Sequence, residues 1–171
     1  MRILILYIFL VANAVATEKV PSKNIVLNSE LKTYDKISFL DENDREININ
    51  KFKGKLILLN FWAVWCAPCK EEMPSLDKLQ INKDLDNLEI FPINVGNDSV
   101  EKSKDFFKEL SIKNLQIYFD PKISLARTLA LRGVPTSVLI NKQGKEFARI
   151  IGIVDFEDPE IINWLSKYIS F

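Results

Sequence analysis

The sequence contains no histidine, and this absence removes several classes of chemistry. Ser–His–Asp hydrolysis and Cys–His proteolysis both need an imidazole as the general base, so neither can operate within this chain. Metal sites built on histidine ligands are excluded for the same reason. Any catalytic chemistry must therefore come from other side chains.

Cysteine is nearly as scarce, since the chain has only Cys66 and Cys69, spaced as C-x-x-C. A zinc site of four cysteines is therefore impossible, and a mixed site would have to recruit carboxylates. We expect no bound metal and no bound cofactor.

An excess of charge of one sign is also missing. The 23 basic residues balance the 23 acidic ones, and no basic stripe stands out, so a nucleic-acid partner is not expected. With 47% hydrophobic and 27% charged residues, the composition is typical of a folded globular protein. The length of 171 residues suits one domain.

The N-terminus has the pattern of an export signal. Arg2 precedes an apolar run over residues 3–12, and residues 14–16 fit the small-x-small cleavage pattern. A membrane-spanning helix needs about 20 apolar residues, and this run is shorter and is interrupted at Asn13. We predict a signal peptide over residues 1–16, with an uncleaved membrane anchor formed by residues 3–16 as the open alternative. Either one indicates a periplasmic or otherwise exported protein.

The remaining chain predicts alternating strands and helices. Residues 17–36 are polar and mixed, and we interpret them as a leader to a domain over residues 37–171. Hydrophobic patterning and turn residues predict an N-terminal hairpin, buried strands and amphipathic helices. This order predicts an α/β fold with a mixed sheet. The predicted hairpin covers 37–40 and 46–49, the other strands cover 56–61, 88–95, 117–119, 137–140 and 147–151, and the helices cover 68–79, 99–110, 124–131 and 158–169.

The cysteine pair falls between a predicted buried strand and a predicted helix. Unpaired N–H groups and the positive end of the helix dipole favour a thiolate at Cys66, while Cys69 lies one turn inside the helix. We interpret the pair as a redox dithiol. A purely stabilising disulfide is the first alternative, although so short a loop would contribute only about 2 kcal/mol. A metal site is the second.

Two segments identify a family resemblance. Residues 60–70, which include the C-x-x-C pair, resemble the thioredoxin superfamily, and residues 133–137 resemble its second signature. Asn60 stands where cytoplasmic thioredoxins have an aspartate, and the stretch from Val95 to Leu131 is longer than in a minimal thioredoxin. Together with the export signal, these features resemble the exported TlpA/ResA type, which includes the cytochrome c maturation thioredoxins. The resemblance implies a thioredoxin fold, in which helices flank a central mixed β-sheet, with an N-terminal hairpin and an extra strand–helix insertion.

The resemblance also implies roles for individual residues. Cys66 would be the exposed nucleophile and Cys69 the resolving thiol. Glu72 matches an acidic residue three positions after the second cysteine, where it could relay a proton, although a simple helix-dipole role stays open. The peptide bond between Val134 and Pro135 would be cis. The substrate-binding surface would consist of Trp65, Ala67, Pro68, Val134 and Pro135.

The function that follows is reduction of disulfides in exported proteins, with apocytochrome c as one candidate substrate. Electrons would come from a membrane thiol reductant, and we expect a monomer. A Cu(I)-binding thiol protein without redox turnover is the alternative. A peroxide-reducing relative is the weakest candidate because the usual peroxidatic cysteine motif is missing.

Overall fold

The computed structural model describes residues 19–170. The predicted signal peptide or anchor over residues 1–16 therefore lies outside the described residues and stays a prediction. No helix within residues 19–170 is long and apolar enough to cross a bilayer.

Three neighbouring strands form the centre of the sheet. Strand β4 (Leu56–Trp62) is buried along its whole length. It pairs in parallel with β5 (Leu88–Val95) and antiparallel with β7 (Thr136–Ile140). The nearly continuous apolar runs of β4 and β5 suit strands that are covered on both faces.

The sheet of the described residues has eight strands and is mixed, in the order β1-β8-β7-β4-β5-β6-β2-β3. An N-terminal hairpin of β2 and β3 forms one edge, next to β6, and β1 forms the other edge, next to β8. The predicted hairpin is therefore confirmed. The bounds of the outer strands are β1 (Ile25–Lys32), β2 (Ser38–Asp41), β3 (Glu46–Asn48), β6 (Tyr118–Asp120) and β8 (Glu146–Ile151).

Helices cover both faces of the sheet. Alternate residues of β4 point into two different core clusters, one packed against the long helices and one against a short helix and the hairpin. A serine caps the second helix, since the Ser99 side chain accepts a hydrogen bond from the Lys102 N–H at 3.2 Å. The bounds are α1 (Ala67–Leu79), α2 (Val100–Glu109), α3 (Ser124–Thr128) and α4 (Pro159–Ser170).

The α/β architecture with a central mixed sheet is confirmed, but two local predictions are wrong. The segment 17–36, interpreted as a leader, contains strand β1, which pairs antiparallel with β8. Helix α3 ends at Thr128, although the sequence pattern predicted a helix as far as Leu131. Ala130 has a φ of 50°, a left-handed conformation that does not continue an α-helix.

Candidate active site

The cysteine pair lies where strand β4 passes into helix α1. Cys66 is the N-cap of α1, and its Sγ accepts a hydrogen bond from the Cys69 N–H at 3.2 Å. The two cysteines form a disulfide with a Cα–Cα distance of 5.3 Å. Pro68 occupies the first turn of the helix, where its missing N–H leaves no intrahelical bond unmade.

The disulfide is almost fully covered. Cys66 is only 3% exposed and Cys69 is 1% exposed. The expectation of an exposed Cys66 is therefore wrong for the oxidised protein, in which the sulfur packs into the core cluster that also contains Met73. The surface beside the pair is formed instead by Ala67 and Pro68, which are both exposed.

The two tryptophans before the cysteines have different environments. Trp62 is fully buried and stacks on Phe106, with 4.6 Å between ring centroids. Trp65 is 73% exposed, so little of this side chain packs against the disulfide or anything else. Trp62 therefore belongs to the core, and Trp65 is available to a partner.

A second loop meets the cysteine loop because of strand pairing. The end of β4 pairs with the start of β7, with Phe61 opposite Thr136, so the residues just before β7 lie beside the residues just after β4. The Val134–Pro135 peptide bond in this loop is cis, as predicted. Val134 packs against the core cluster that contains both cysteines, and the Pro135 carbonyl accepts a hydrogen bond from the Gly152 N–H at 3.0 Å.

Glu72 is buried one helical turn after Cys69, whereas the neighbouring Glu71 is exposed. Its Oε1 accepts a hydrogen bond from Asn60 Nδ2 at 2.7 Å, and its Oε2 accepts one from the Val154 N–H at 3.3 Å. Burial raises the pKa of Glu72 to about 7, although these two hydrogen bonds act in the opposite direction. A carboxyl group with this pKa can both accept and release a proton near neutral pH.

Some residues of the site were not assigned a role from the sequence. Asn60 donates from Nδ2 to Glu72 and also to Ser137 Oγ, at 3.0 Å, and so links α1 to β7 across β4. Asp98 accepts the Val64 N–H at 3.2 Å and thereby holds the loop that leads to Cys66. A buried asparagine inside an apolar strand was the only sequence signal for the first contact. For the Asp98 contact, the sequence of residues 96–98 had indicated only a turn.

Lys70 is the cation nearest to the cysteines in the sequence, and it is engaged away from them. Its Nζ donates to Glu109 Oε1 at 3.0 Å and lies 5.8 Å from the centroid of the Phe106 ring. Among residues 19–170, no three histidine, cysteine, aspartate or glutamate side chains are grouped as a metal site.

Comparison with known proteins shows the family to which the chain belongs. The Redoxin family profile matches residues 15–161 of the chain. The thiol-disulfide oxidoreductase ResA of Bacillus cereus is 32% identical over 112 residues, covering 66% of this chain and 64% of the relative. ResA of Geobacillus thermodenitrificans is 32% identical over 118 residues, covering 69% of this chain and 67% of the relative. The chain thus spans slightly less than two thirds of the Bacillus relative.

The crystal structure of a secreted thiol-disulfide isomerase from Corynebacterium glutamicum has the same fold. It superposes with a TM-score of 0.73 at 20% identity and covers 91% of this chain and 97% of that structure. The mixed sheet, the C-x-x-C pair at the start of a helix and the cis-proline loop define a member of the thioredoxin superfamily. Within it, the chain belongs to the Redoxin family and is similar to ResA.

Proposed function

We propose that this protein is a thiol–disulfide oxidoreductase that reduces disulfides of exported proteins through the Cys66–Cys69 pair. The observation that carries the proposal is the disulfide at the N-terminus of α1, where the Cys69 N–H points to Cys66 Sγ. When the disulfide opens, this N–H, which the Cys66 Sγ shares with the Cys66 carbonyl, and the positive end of the helix dipole stabilise a thiolate on Cys66. The ResA relatives carry the same activity in their name.

The reaction transfers two electrons in two exchange steps. In the reduced protein, the Cys66 thiolate attacks one sulfur of the partner's disulfide, and the other partner sulfur leaves as a thiolate that takes up a proton. Cys69 then loses its proton and attacks Cys66 Sγ, which breaks the mixed disulfide and releases the second partner thiol. The protein is left with the Cys66–Cys69 disulfide, and the partner has gained two electrons and two protons.

In the second step, Glu72 would receive the proton of Cys69. It lies one turn further along α1, on the same side of the helix. Its pKa of about 7 allows it to accept a proton near neutral pH, as a general base in this step must. The buried position of Glu72 favours this role over a simple interaction with the helix dipole, which Glu71 can make from the surface.

The partner polypeptide would dock on the exposed residues around the disulfide. Trp65, Ala67 and Pro68 are exposed and form one side of this surface. On the other side, Val134 is half-buried and Pro135 is buried, so their loop would contribute mainly its backbone. An extended segment could form main-chain hydrogen bonds with the loop, as strands do when they add to a sheet edge.

Export to the periplasm or another compartment outside the cytoplasm remains part of the proposal, with the signal in residues 1–16. It is supported by the sequence pattern and by a structural neighbour described as secreted. In such a compartment, partners with disulfides are available, apocytochrome c being one candidate. The oxidised protein must be reduced again, and a membrane thiol reductant is the proposed electron donor.

Two single-cysteine variants test the proposal. Cys66→Ser should abolish disulfide reduction because the remaining thiol, Cys69, is buried and cannot reach a partner's disulfide. Cys69→Ser should accumulate mixed disulfides because the resolving step is lost. The measurement is turnover of a disulfide-bonded protein, together with non-reducing gels of the Cys69→Ser protein recovered from the native compartment. Near-normal turnover by Cys66→Ser would contradict the assignment of the two roles.

A further inference from the structure

A groove of about 740 Å³ begins at the Val134–Pro135 loop and extends over the face of β8 and β1. Its floor is apolar and open to solvent, since Val26 of β1 is 48% exposed and Ile151 of β8 is 53% exposed. The groove is separate from the disulfide but shares Val134 and Pro135 with the proposed docking surface. We call it the basic groove because of the side chains that line it.

The charges along the basic groove have one sign. Lys32, Arg132 and Arg149 line it, and no aspartate or glutamate does. Glu30 is exposed on β1 but does not line the groove. Arg132 forms no ion pair within residues 19–170, and it lies three positions before Pro135 in the loop itself.

A buried carboxylate fixes one wall of the groove without neutralising it. Glu146 is fully buried and accepts hydrogen bonds from Arg149 Nε at 2.8 Å, from Asn28 Nδ2 at 2.8 Å and from the Tyr34 hydroxyl at 2.7 Å. Lys32 Nζ lies 3.5 Å from the same carboxylate. Because Glu146 supplies a single negative charge against three cations, the groove keeps a positive excess.

The network also makes the groove a preformed one. Burial alone would raise the pKa of Glu146, but its hydrogen bonds outweigh this and lower the pKa to about 2, so the carboxylate stays charged and holds Arg149 at neutral pH. At the other end, the Gly152 N–H binds the Pro135 carbonyl and ties β8 to the loop. A rigid groove binds a ligand with less loss of conformational entropy than a mobile one.

We propose that the basic groove binds an extended, acidic segment of the partner polypeptide on one side of its reactive cysteine. This inference rests on the proposed function, and it names the class of substrate that the site would prefer. The apolar floor suits aliphatic side chains of such a segment, and the positive excess, with Arg132 free of any ion pair among the described residues, suits its carboxylates. The shared loop residues place the segment next to the sulfur that Cys66 attacks.

Peptide substrates that differ only in charge test the inference. Each peptide has one cysteine blocked as a neutral 2-pyridyl disulfide, flanked on both sides by aspartates, by asparagines or by lysines. The reduced protein is mixed with each peptide, and release of 2-thiopyridone is followed at increasing peptide concentration. We expect the half-saturating concentration to be about fivefold lower for the aspartate peptide than for the asparagine peptide, and highest for the lysine peptide.

Arg132→Glu is the test variant, since its side chain is exposed and lies outside the catalytic residues. It should abolish or invert the preference for the aspartate peptide. Lys32→Gln, a milder change, should weaken the preference. The matched control is Lys83→Glu, an exposed residue of the short helical turn before β5, at the opposite end of the sheet from the cysteines. It makes the same charge change and should leave the ranking of the peptides as it is.

A small neutral disulfide, bis(2-hydroxyethyl) disulfide, separates this inference from the proposed function. All variants should reduce it at the rate of the unaltered protein, because it does not reach the groove. Reduction of this compound together with an unchanged peptide ranking in Arg132→Glu would overturn the groove assignment alone. If the unaltered protein reduces neither the compound nor the peptides, the proposed function is overturned, and this inference with it.

Discussion

At the scale of single residues, the environment of Glu72 has a measurable consequence for stability. Its pKa is about 7 in the folded protein, compared with an ordinary value of 4.5. Between these values the folded protein keeps a proton that the unfolded chain has lost. The contribution of Glu72 to the free energy of unfolding is therefore fully present below about pH 4.5 and falls as the pH rises to about 7, by about 3 kcal/mol.

Glu72→Gln should remove this pH dependence, because glutamine stays neutral at every pH. The measurement is urea unfolding of the oxidised protein between pH 4.5 and 7.5, and the quantity to compare is the difference between the variant and the unaltered protein. We expect the variant to gain relative stability as the pH rises. The same variant should also shift the pH profile of disulfide reduction if Glu72 relays the proton of Cys69.

Glu71→Gln is the control for this prediction. It removes the same charge from the preceding residue of α1, but Glu71 is exposed. The difference in the free energy of unfolding between Glu71→Gln and the unaltered protein should stay nearly constant with pH. Glu146 does not interfere, because its pKa of about 2 places its own stability loss below pH 4.5. A stability difference for Glu72→Gln that does not change with pH would show that Glu72 is charged in the folded state.

At the scale of secondary-structure elements, helix α1 is fixed to the rest of the molecule through a second buried acid. Asp77 Oδ1 accepts the backbone N–H groups of Lys113, Asn114 and Leu115, at 3.1, 2.7 and 3.1 Å. Its Oδ2 accepts Asn114 Nδ2 at 2.9 Å. One carboxylate thus holds the connection between α2 and β6 against the helix that begins with the cysteines.

Asp77→Ala should lower the free energy of unfolding by about 3 kcal/mol, because it leaves several donors, including the buried Leu115 N–H, without an acceptor. Asp77→Asn keeps one acceptor oxygen of the same shape and should cost clearly less. Denaturant unfolding of the oxidised protein measures both. Equal losses for the two variants, or a loss of less than about 1 kcal/mol for Asp77→Ala, would mean that the contacts of this carboxylate stabilise little.

The elements that could be predicted from sequence are those in which the pattern of apolar and polar side chains matches their burial. Strand β5 has a nearly continuous apolar run, which is typical of a strand covered on both faces. Its predicted bounds are confirmed. Strand β1 was missed because it is an edge strand, and after Ile25 its residues are all partly or fully exposed. Its place depends on backbone pairing with β8, more than a hundred residues later in the chain, which leaves no pattern in the local sequence.

For the whole molecule and its site, too, local motifs could be predicted from sequence and contacts between distant segments could not. The cysteine pair, the acid one turn later and the proline loop are short motifs, so sequence alone could single them out. The basic groove could not be predicted, because the partners of Glu146 include Asn28 and Tyr34, which are far from it in the chain. Burial of Cys66 in the oxidised form was also missed, since it results from packing among several elements.

The direction of electron flow is a property of the whole molecule, and we predict that the protein is a reductant. Oxidants of this fold stabilise the nucleophilic thiolate strongly, which makes their disulfide easy to reduce. Here the two residues between the cysteines, Ala67 and Pro68, have neither charge nor side-chain donor, and the chain has no histidine. Lys70, the one cation close in sequence, is paired with Glu109. Stabilisation of the thiolate is then left to the helix N-terminus, and we expect a potential more negative than about −200 mV.

A redox titration against glutathione and dithiothreitol couples measures this potential. A value near −120 mV, typical of the strongest oxidants of this fold, would contradict the assignment as a reductase while leaving the roles of the two cysteines intact.

Pro68→His tests the physical reason for the low potential, because it places an imidazole between the cysteines of a chain that has no histidine. At about pH 6, where imidazole is largely protonated, this variant should raise the potential by tens of millivolts, since about 30 mV corresponds to 1.4 kcal/mol for a two-electron couple. Pro68→Gln is the matched control, because it also removes the proline ring but adds no charge. If the missing cation explains the low potential, the potential of Pro68→His must be higher than that of Pro68→Gln. Equal potentials for the two variants would contradict this explanation.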